Sequence, residues 1–466
     1  LIGFVARCSA GDFQFDSQAT RPQFESGSGD LQVVQPLPVG EGDWSTYRSD
    51  NARSASTTVH LPQQTEQTWE FNLSTEFIPT APTSAGGLVF FGGDDGKVRA
   101  VDSASGELRW EFATSSPIKY PPTIWNDRAY FGSGDGYAYA LEAATGRLLW
   151  RFRGAPVERI IHAYGSLGST WPVQSGVLID NGIAYFAAGI IDYDGTYVYA
   201  LDATTGELRW QNNSSGHLNP TLRKGVSVQG NLTIQQGQLL MAGGNQVSPA
   251  RYDIETGECL SASFDNGRPK QNTGRFVGAL DNETAIQGGR ILYASPRNVS
   301  TKGSFEAVTG NQRYRINHGG IPPAWNEHLV AMVNYQNGAL TCCDMAQMKT
   351  LLAQQSNENA RRRGNALAED LKREDAIRWG YSLGVNRRFE ILSLAVCPTD
   401  VVAVLQHQER DRAQTEWSVA AFDSEKGELR YQHRFTNEPL PGGLLIDSQG
   451  NIVVMMLDGS VLCYSG

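Results

Sequence analysis

Ala100-Val101-Asp102-Ser103-Ala104-Ser105-Gly106-Glu107-Leu108-Arg109-Trp110 is a phrase that the chain keeps repeating. It returns as Ala140-Leu141-Glu142…Thr145-Gly146…Trp150 and as Ala200-Leu201-Asp202…Thr205-Gly206…Trp210. Looser copies follow at Asp253…Gly257, Glu306…Gly310…Tyr314, Asp344…Leu352 and Asp423…Gly427…Tyr431. The distance from the acid to the closing residue is constant, and all but the Asp344 copy carry Gly four residues after the acid. Self-similarity at a fixed phase is the signature of a repeat architecture.

Each repeat has one internal grammar. The second runs from Pro121-Pro122-Thr123-Ile124 through a turn at Asn126-Asp127 to a strand at Arg128–Phe131. A glycine turn at Gly132-Ser133-Gly134-Asp135-Gly136, a strand Tyr137–Leu141, the Thr145-Gly146 turn and a last strand ending at Trp150 complete it. Gly, Asn and Asp tolerate the positive φ that tight strand connections need. Four short antiparallel strands of this size make a propeller blade.

Turns between first and second strands are expected near Gly86-Gly87, Asn126-Asp127, Asn181-Gly182, Gly237, Gly288-Gly289, Asn326-Glu327, Thr399-Asp400 and Gly450-Asn451. That is one turn more than there are closing phrases. The chain ends on a third strand at Val461-Leu462-Cys463-Tyr464, and an orphan fourth strand, Glu66-Gln67-Thr68-Trp69-Glu70-Phe71, stands near the start. The expected fold is therefore all-β: an eight-bladed β-propeller of four-stranded antiparallel blades over 43–466, closed by an N-terminal strand, which leaves no free sheet edge at the chain ends.

Composition agrees. Fifty glycines with ten Trp, seventeen Tyr and eighteen Phe in 466 residues suit an all-β chain with many turns. A net charge of −10 argues against a nucleic-acid partner. Six scattered cysteines make no disulfide framework, and no apolar stretch is long enough to make an integral membrane protein. Residues 1–42 read as a linker or the end of an upstream segment, because they are rich in Ser, Gly, Gln, Asp and Pro without periodicity. Arg7 beside Cys8 does not suit a lipoprotein cleavage site. Trp44–Asp50 suits a lid over a sheet end. Residues 151–171 form a long loop between blades two and three. Residues 353–389, charged and rich in helix formers, are expected to form one helical insert between blades six and seven.

The phrase at 200–210 resembles the repeat of the pyrroloquinoline-quinone-like (PQQ-like) propellers, which include quinoprotein alcohol dehydrogenases and BamB-type outer-membrane assembly lipoproteins. The resemblance runs from about Asp43 to the C-terminus and is strongest in blades one to three. It implies that the closing aromatics Trp69, Trp110, Trp150, Trp210, Tyr314 and Tyr431 dock between blades. It also implies export to a periplasmic, outer-membrane-associated or secreted location of bacterial type.

A quinoprotein would need PQQ, Ca²⁺ held by oxygen ligands, and an Asp base. Cys342-Cys343 resembles the adjacent cysteines over that quinone, but it falls in phase with an ordinary third strand, whose neighbouring side chains point to opposite faces. Pro322-Pro323-Ala324-Trp325-Asn326 aligns with Pro121-Pro122-Thr123-Ile124-Trp125-Asn126, so the repeat accounts for it. Asp192-Tyr193-Asp194-Gly195 reads as a turn. No cofactor and no metal site are expected.

A different signal lies in the loops of one face. Arg153, Arg159, His162, Tyr164, His217, Arg223, Lys224, Arg268, Lys270 and Arg275 fall there from blades two to five, joined by Asn245, Arg297 and His318. A basic funnel on an acidic protein focuses an anionic ligand; the alternative is a set of ordinary solvated loop charges. The first expectation is a non-catalytic scaffold binding a partner protein or an extended polymer on this face, with an anionic glycan as the other partner class. A second is a lyase or hydrolase on an acidic polysaccharide, with Arg159 neutralising a uronate while His162 or Tyr164 moves the proton. A PQQ- and calcium-dependent alcohol dehydrogenase is third.

Overall fold

In the computed structural model the closing phrase is the seam between blades. The structure describes residues 23–163, 165–219, 225–243, 247–261, 275–289, 304–309, 312–318, 321–333, 339–361, 369–370, 376–382, 387–409 and 415–466. Eight small antiparallel sheets follow one another along the chain, as the repeat requires.

Blade one is Thr83–Ala85, Leu88–Gly92, Lys97–Asp102 and Leu108–Ala113. Blade two is Thr123–Trp125, Arg128–Gly132, Tyr137–Glu142 and Leu148–Arg153, and blade three is Leu178–Asp180, Ile183–Ala188, Tyr197–Asp202 and Leu208–Asn212. Blade four shows Leu232–Gln235, Gln238–Met241 and Ala250–Asp253, with a bridge from Tyr252 to Cys259 where a fourth strand begins. Blade five is Phe276–Ala279, Thr284–Gly288, Ser304–Thr309 and Gln312–His318, and blade six is Ala324–Trp325, Leu329–Val333, Leu340–Asp344 and Ile377–Tyr381. Blade seven is Arg387–Val396, Asp400–Glu409, Thr415–Asp423 and Leu429–Phe435. Blade eight takes Pro439–Ile446, Ile452–Met456 and Val461–Ser465 from the C-terminus and its last strand, Glu66–Phe71, from near the start.

Second strands such as Leu88–Gly92 and Arg128–Gly132 are buried on both faces, which explains continuous apolar runs where a one-sided sheet would alternate. Aromatic rings fill the seams: Phe152 packs edge-on against Phe186 at 6.0 Å, and Phe186 stacks on Tyr199 at 5.1 Å.

The seam has a repeated geometry. The acid's Oδ1 accepts backbone N–H bonds from the residues two and three further on, as Asp202 does from Thr204 at 3.1 Å and Thr205 at 2.9 Å. This folds the turn and brings the glycine to φ near 73° at Gly206. The tryptophan of the preceding blade then lies on that glycine and donates its indole N–H to the carbonyl one residue after the acid. Trp69 donates to Ser103 at 2.8 Å, Trp110 to Ala143 at 2.9 Å, Trp150 to Ala203 at 3.1 Å and Trp210 to Ile254 at 2.9 Å.

Trp379 does the same to Ser424 at 2.9 Å, and this corrects two expectations. The sixth phrase closes at Trp379, not at Leu352. Met345–Arg361 is a helix, α1, that begins directly after the third strand of blade six, so the irregular segment interrupts that blade and does not follow it. Met345, Met348 and Leu352 anchor the helix in the core between blades five and six. In blade five the first turn spans 280–283, and Gly288 ends the second strand instead of forming the expected turn.

The linker expected over 1–42 is also corrected for its described part. Phe24–Ser26 pairs antiparallel with the outer strand of blade two, Phe24 opposite Phe152 and Glu25 opposite Arg151. Beyond it Leu37 is buried, and its N–H donates to Asp127 at 2.7 Å. Apolar side chains in this polar stretch are spaced irregularly, because each fits a different groove of a surface made by other repeats.

Candidate functional site

The axial channel is closed at one end by residues 44–57, which cross it and touch the first strand of one blade after another. Ser84 N donates to Trp44 O, Ile124 N to Ser45 O, Ala279 N to Ala52 O, Trp325 N to Ser54 O and Val396 N to Ala55 O, all at 2.7 to 2.9 Å. Asn51 bridges blades three and four, giving its side-chain N–H to Ile179 O and accepting Thr233 Oγ1. So compact a crossing needs left-handed backbone at Arg48, Ser49, Arg53 and Ala55, with φ of 58°, 78°, 67° and 56°. Strain of this kind persists only where the surroundings over-determine it.

Two buried arginines do so. Arg53 donates to Leu232 O at 2.8 Å, Thr46 Oγ1 at 2.9 Å, and the Tyr47 and Asp50 carbonyls at 3.1 Å. Arg48 donates to Arg53 O at 2.9 Å and to Pro323 O. Burial lowers both guanidinium pKa values to about 10, which leaves them charged.

The opposite end of the channel opens on the face bearing the blade-to-blade loops. Its mouth is a cavity of about 150 Å³ floored by Tyr47 and Tyr120, whose rings meet edge to face at 5.1 Å. Lys119, Arg275 and Asp94 line it. Desolvation in this concave mouth lowers the Lys119 pKa; Asp94 works against that shift and Arg275 adds to it. Two cations thus face one carboxylate there. Lys119 was missed by the reading of blades two to five, although its loop ends in Pro121-Pro122 in phase with the other blades.

Beside the mouth stands a two-stranded hairpin, Ile160–Ala163 paired with Ser166–Ser169, where the sequence suggested a plain loop. Its base is fixed: Ser169 N donates to Gly134 O, Ser116 Oγ to Leu167 O and Thr170 N to Arg159 O, at 2.7, 2.7 and 3.0 Å. The hairpin presents the Ile160 and Leu167 side chains at 55% and 60% exposure, with His162 exposed directly opposite Leu167.

The sequence-derived site residues separate on this frame. Arg275 reaches the mouth. Arg159 is exposed on the hairpin's entry, and its charge acts on Asp194. His217 is exposed at the end of a short 3-10 turn, Ser215–His217, between blades three and four. Arg153 differs from the solvated loop cation expected: it is only 4% exposed, and its Nε donates to Ala155 O at 3.1 Å, so it fastens the blade-two exit. His318 ends the outer strand of blade five. Tyr164, Arg223, Lys224, Asn245, Arg268, Lys270 and Arg297 lie outside the described residues.

The quinoprotein features fare as the repeat predicts. Cys342 packs in the core cluster that holds Trp379, while Cys343 packs in the one holding Met345, and both are free thiols. Ala324–Trp325 is the first strand of blade six, with its N–H used by the channel plug. Asp192 and Asp194 form a short 3-10 turn, with Asp192 accepting the Gly225 N–H at 3.0 Å. Among the described residues no three His, Cys, Asp or Glu side chains converge to hold a metal.

Fold and site together define an eight-bladed propeller of the PQQ-like class, its channel sealed at one end and open on the loop-rich face. Residues 56–266 and 168–371 match the family model described as "Outer membrane protein assembly factor BamB", and the chain belongs to that family. No curated protein matches the sequence significantly.

Among solved structures, quinohemoprotein alcohol dehydrogenase from Comamonas testosteroni aligns at 12% identity and TM-score 0.58, over 91% of this chain and 80% of that one. A europium-containing methanol dehydrogenase aligns at 10% identity and TM-score 0.56, over 91% and 98%. The computationally designed Ika8 protein aligns at 14% identity and TM-score 0.51, over 86% and 99%. At such identities these likenesses show the fold alone. No helix among the described residues is long and apolar enough to cross a membrane.

Proposed function

We propose that this chain is a non-catalytic docking propeller of the bacterial envelope, which binds a protein partner on its loop-rich face. One observation carries the reading: the hairpin at 160–169 holds Ile160 and Leu167 in solvent on a base that is hydrogen-bonded to blades one and two. Exposed apolar side chains on a fixed support lose little entropy when covered, as binding anchors should. The mouth beside them adds a positive rim at Lys119 and Arg275 that would steer an acidic partner. Family membership supports a partner within an outer-membrane assembly machinery, and with it an envelope location.

The test is site-specific photo-crosslinking in cells from positions 160 and 167, with position 108 on a distant blade edge as control. A protein adduct from the hairpin alone is expected. The Ile160→Asp/Leu167→Asp double variant should lose that adduct while keeping its circular dichroism and Tm. Retention of the complex by the double variant would sink the reading.

A further inference from the structure

The channel mouth gathers two cations and too little negative charge to match them. Lys119 and Arg275 line it together with Asp94. Among the described residues neither the Lys119 ammonium nor the Arg275 guanidinium has a hydrogen-bond or ion-pair partner. Asp94 gives one carboxylate oxygen to the Ile78 N–H at 2.8 Å. One positive charge is therefore left unmatched in the mouth. Lys119 is exposed, yet the concave walls around it desolvate its charge and lower its pKa. An arriving anion would offset that cost.

The two cations are carried on a fixed support. Tyr120, next to Lys119, donates its phenol O–H across the channel to the Arg275 carbonyl at 3.1 Å, and the Asn231 N–H reaches the same oxygen at 3.4 Å. Ile118, Leu440, Pro79 and Pro441 supply apolar walls above the tyrosine floor. The cavity of about 150 Å³ has room for about five water molecules. Pockets for whole cofactors begin at about 300 Å³. A monoanion with a short apolar stem matches the mouth in size, wall and charge. An inorganic phosphate dianion does not, because it has no stem for the walls and brings more negative charge than the mouth leaves unmatched.

We propose that the mouth is a carboxylate-binding site, filled by an acidic side chain of the protein that covers the hairpin at 160–169. Arg275 can hold such a carboxylate through parallel N–H bonds, with Lys119 acting as a point charge. The source of the carboxylate rests on the docking role proposed above. Hairpin and mouth share one support: Ser116 Oγ donates to Leu167 O at 2.7 Å, and Lys119 follows Ser116 by three residues in the same loop. So short a segment spans at most about 11 Å. A surface that covers Leu167 therefore places its own side chains within reach of the mouth.

The probe is propionate, the glutamate side chain without its backbone, added to the full-length protein. Isotope-labelled dimethyl groups on the lysines keep their charge and report by NMR, and Lys119→Arg identifies the Lys119 signal. Propionate should shift that signal saturably with a Kd on the order of 1 mM, and Arg275→Gln should weaken binding about fivefold. Neutral propionamide and inorganic phosphate at equal ionic strength should leave it unmoved. In cells, the photo-adduct from position 167 should fall about tenfold in the Lys119→Gln/Arg275→Gln variant, with Tm unchanged. A Lys119 signal that ignores propionate, or follows propionamide or phosphate equally well, overturns the site. An undiminished adduct in the double variant overturns the partner as the source of the carboxylate. If no hairpin adduct forms at all, the docking role falls with that source, and the propionate titration alone decides the carboxylate site.

Discussion

Trp379 and Ser424, 45 residues apart, are joined by an indole-to-carbonyl bond of 2.9 Å across the seam between blades six and seven. The same bond recurs at four other seams, so the closing aromatic of one phrase reads the turn of the next. The acid sets that turn, the glycine clears space, and the tryptophan fills it. Each phrase residue thus has a structural role, and none is left over for chemistry.

The glycine makes the sharpest prediction. A Cβ on Gly427 would stand 2.5 Å from Trp379 Cδ2, at a φ of 71° that disfavours any side chain. Gly427→Ala should therefore cost about 2–4 kcal/mol from left-handed backbone and overlap together. A denaturant melt would measure it. Gly237→Ala has similar φ and open space around its Cβ, so it should cost only about 1–2 kcal/mol.

The plug predicts a different failure. Arg53→Ala leaves the carbonyls of Leu232, Tyr47 and Asp50 short of a donor in a buried setting, which amounts to roughly 3 kcal/mol or more. Arg53→Lys should recover little, because an ammonium cannot span the same fork of acceptors. Thermal unfolding with limited proteolysis at 44–57 would separate loss of the plug from loss of the ring.

Periodicity made the ring legible and left the site nearly illegible. Asp202, Gly206 and Trp210 recur because every seam needs them, and a repeated need leaves a repeated mark. The plug leaves none: Arg48 and Arg53 look like surface charges in sequence, and their burial depends on carbonyls from Pro323 and Leu232, 275 and 179 residues away. Arg153 misled for the converse reason. It sits beside basic loop residues in sequence, but it is the last residue of an outer strand and turns inward. Trp379 was misplaced because α1 and the segment after it separate the acid Asp344 from its closing partner.

The strap on blade two should detach without opening the ring. A Cβ on Gly27 would fall 1.9 Å from Leu148 O, so Gly27→Ala cannot keep the fifth-strand pairing. Proteolysis within 23–37 should accelerate at least about tenfold, the usual consequence of freeing a docked edge segment, while the main unfolding transition moves little. A large drop in Tm would show instead that the strap is integral to the ring.

Acid sensitivity should follow the phrase carboxylates. Asp423 accepts the Lys426 N–H at 2.9 Å and the Arg430 guanidinium at 3.1 Å, and these two contacts, in that order, hold its pKa below the ordinary carboxylate value. Asp253 and Asp344 are lowered likewise, by the Thr256 backbone N–H and by Arg378. A carboxylate with a depressed folded pKa contributes stability that is complete above its unfolded value, about 3.9 for Asp. That contribution is lost as pH falls through the lower folded value, because the unfolded chain binds the proton first. Asp400, buried beside the same Arg430, behaves oppositely: burial raises its pKa, so protonation relieves a cost as pH falls. Asp423→Asn should therefore lower Tm at pH 7, with the gap to the parent protein closing below about pH 4. Asp400→Asn should show no such closing gap. A constant gap for Asp423→Asn from pH 7 to pH 3 would mean that the turn is held by shape and not by its charge.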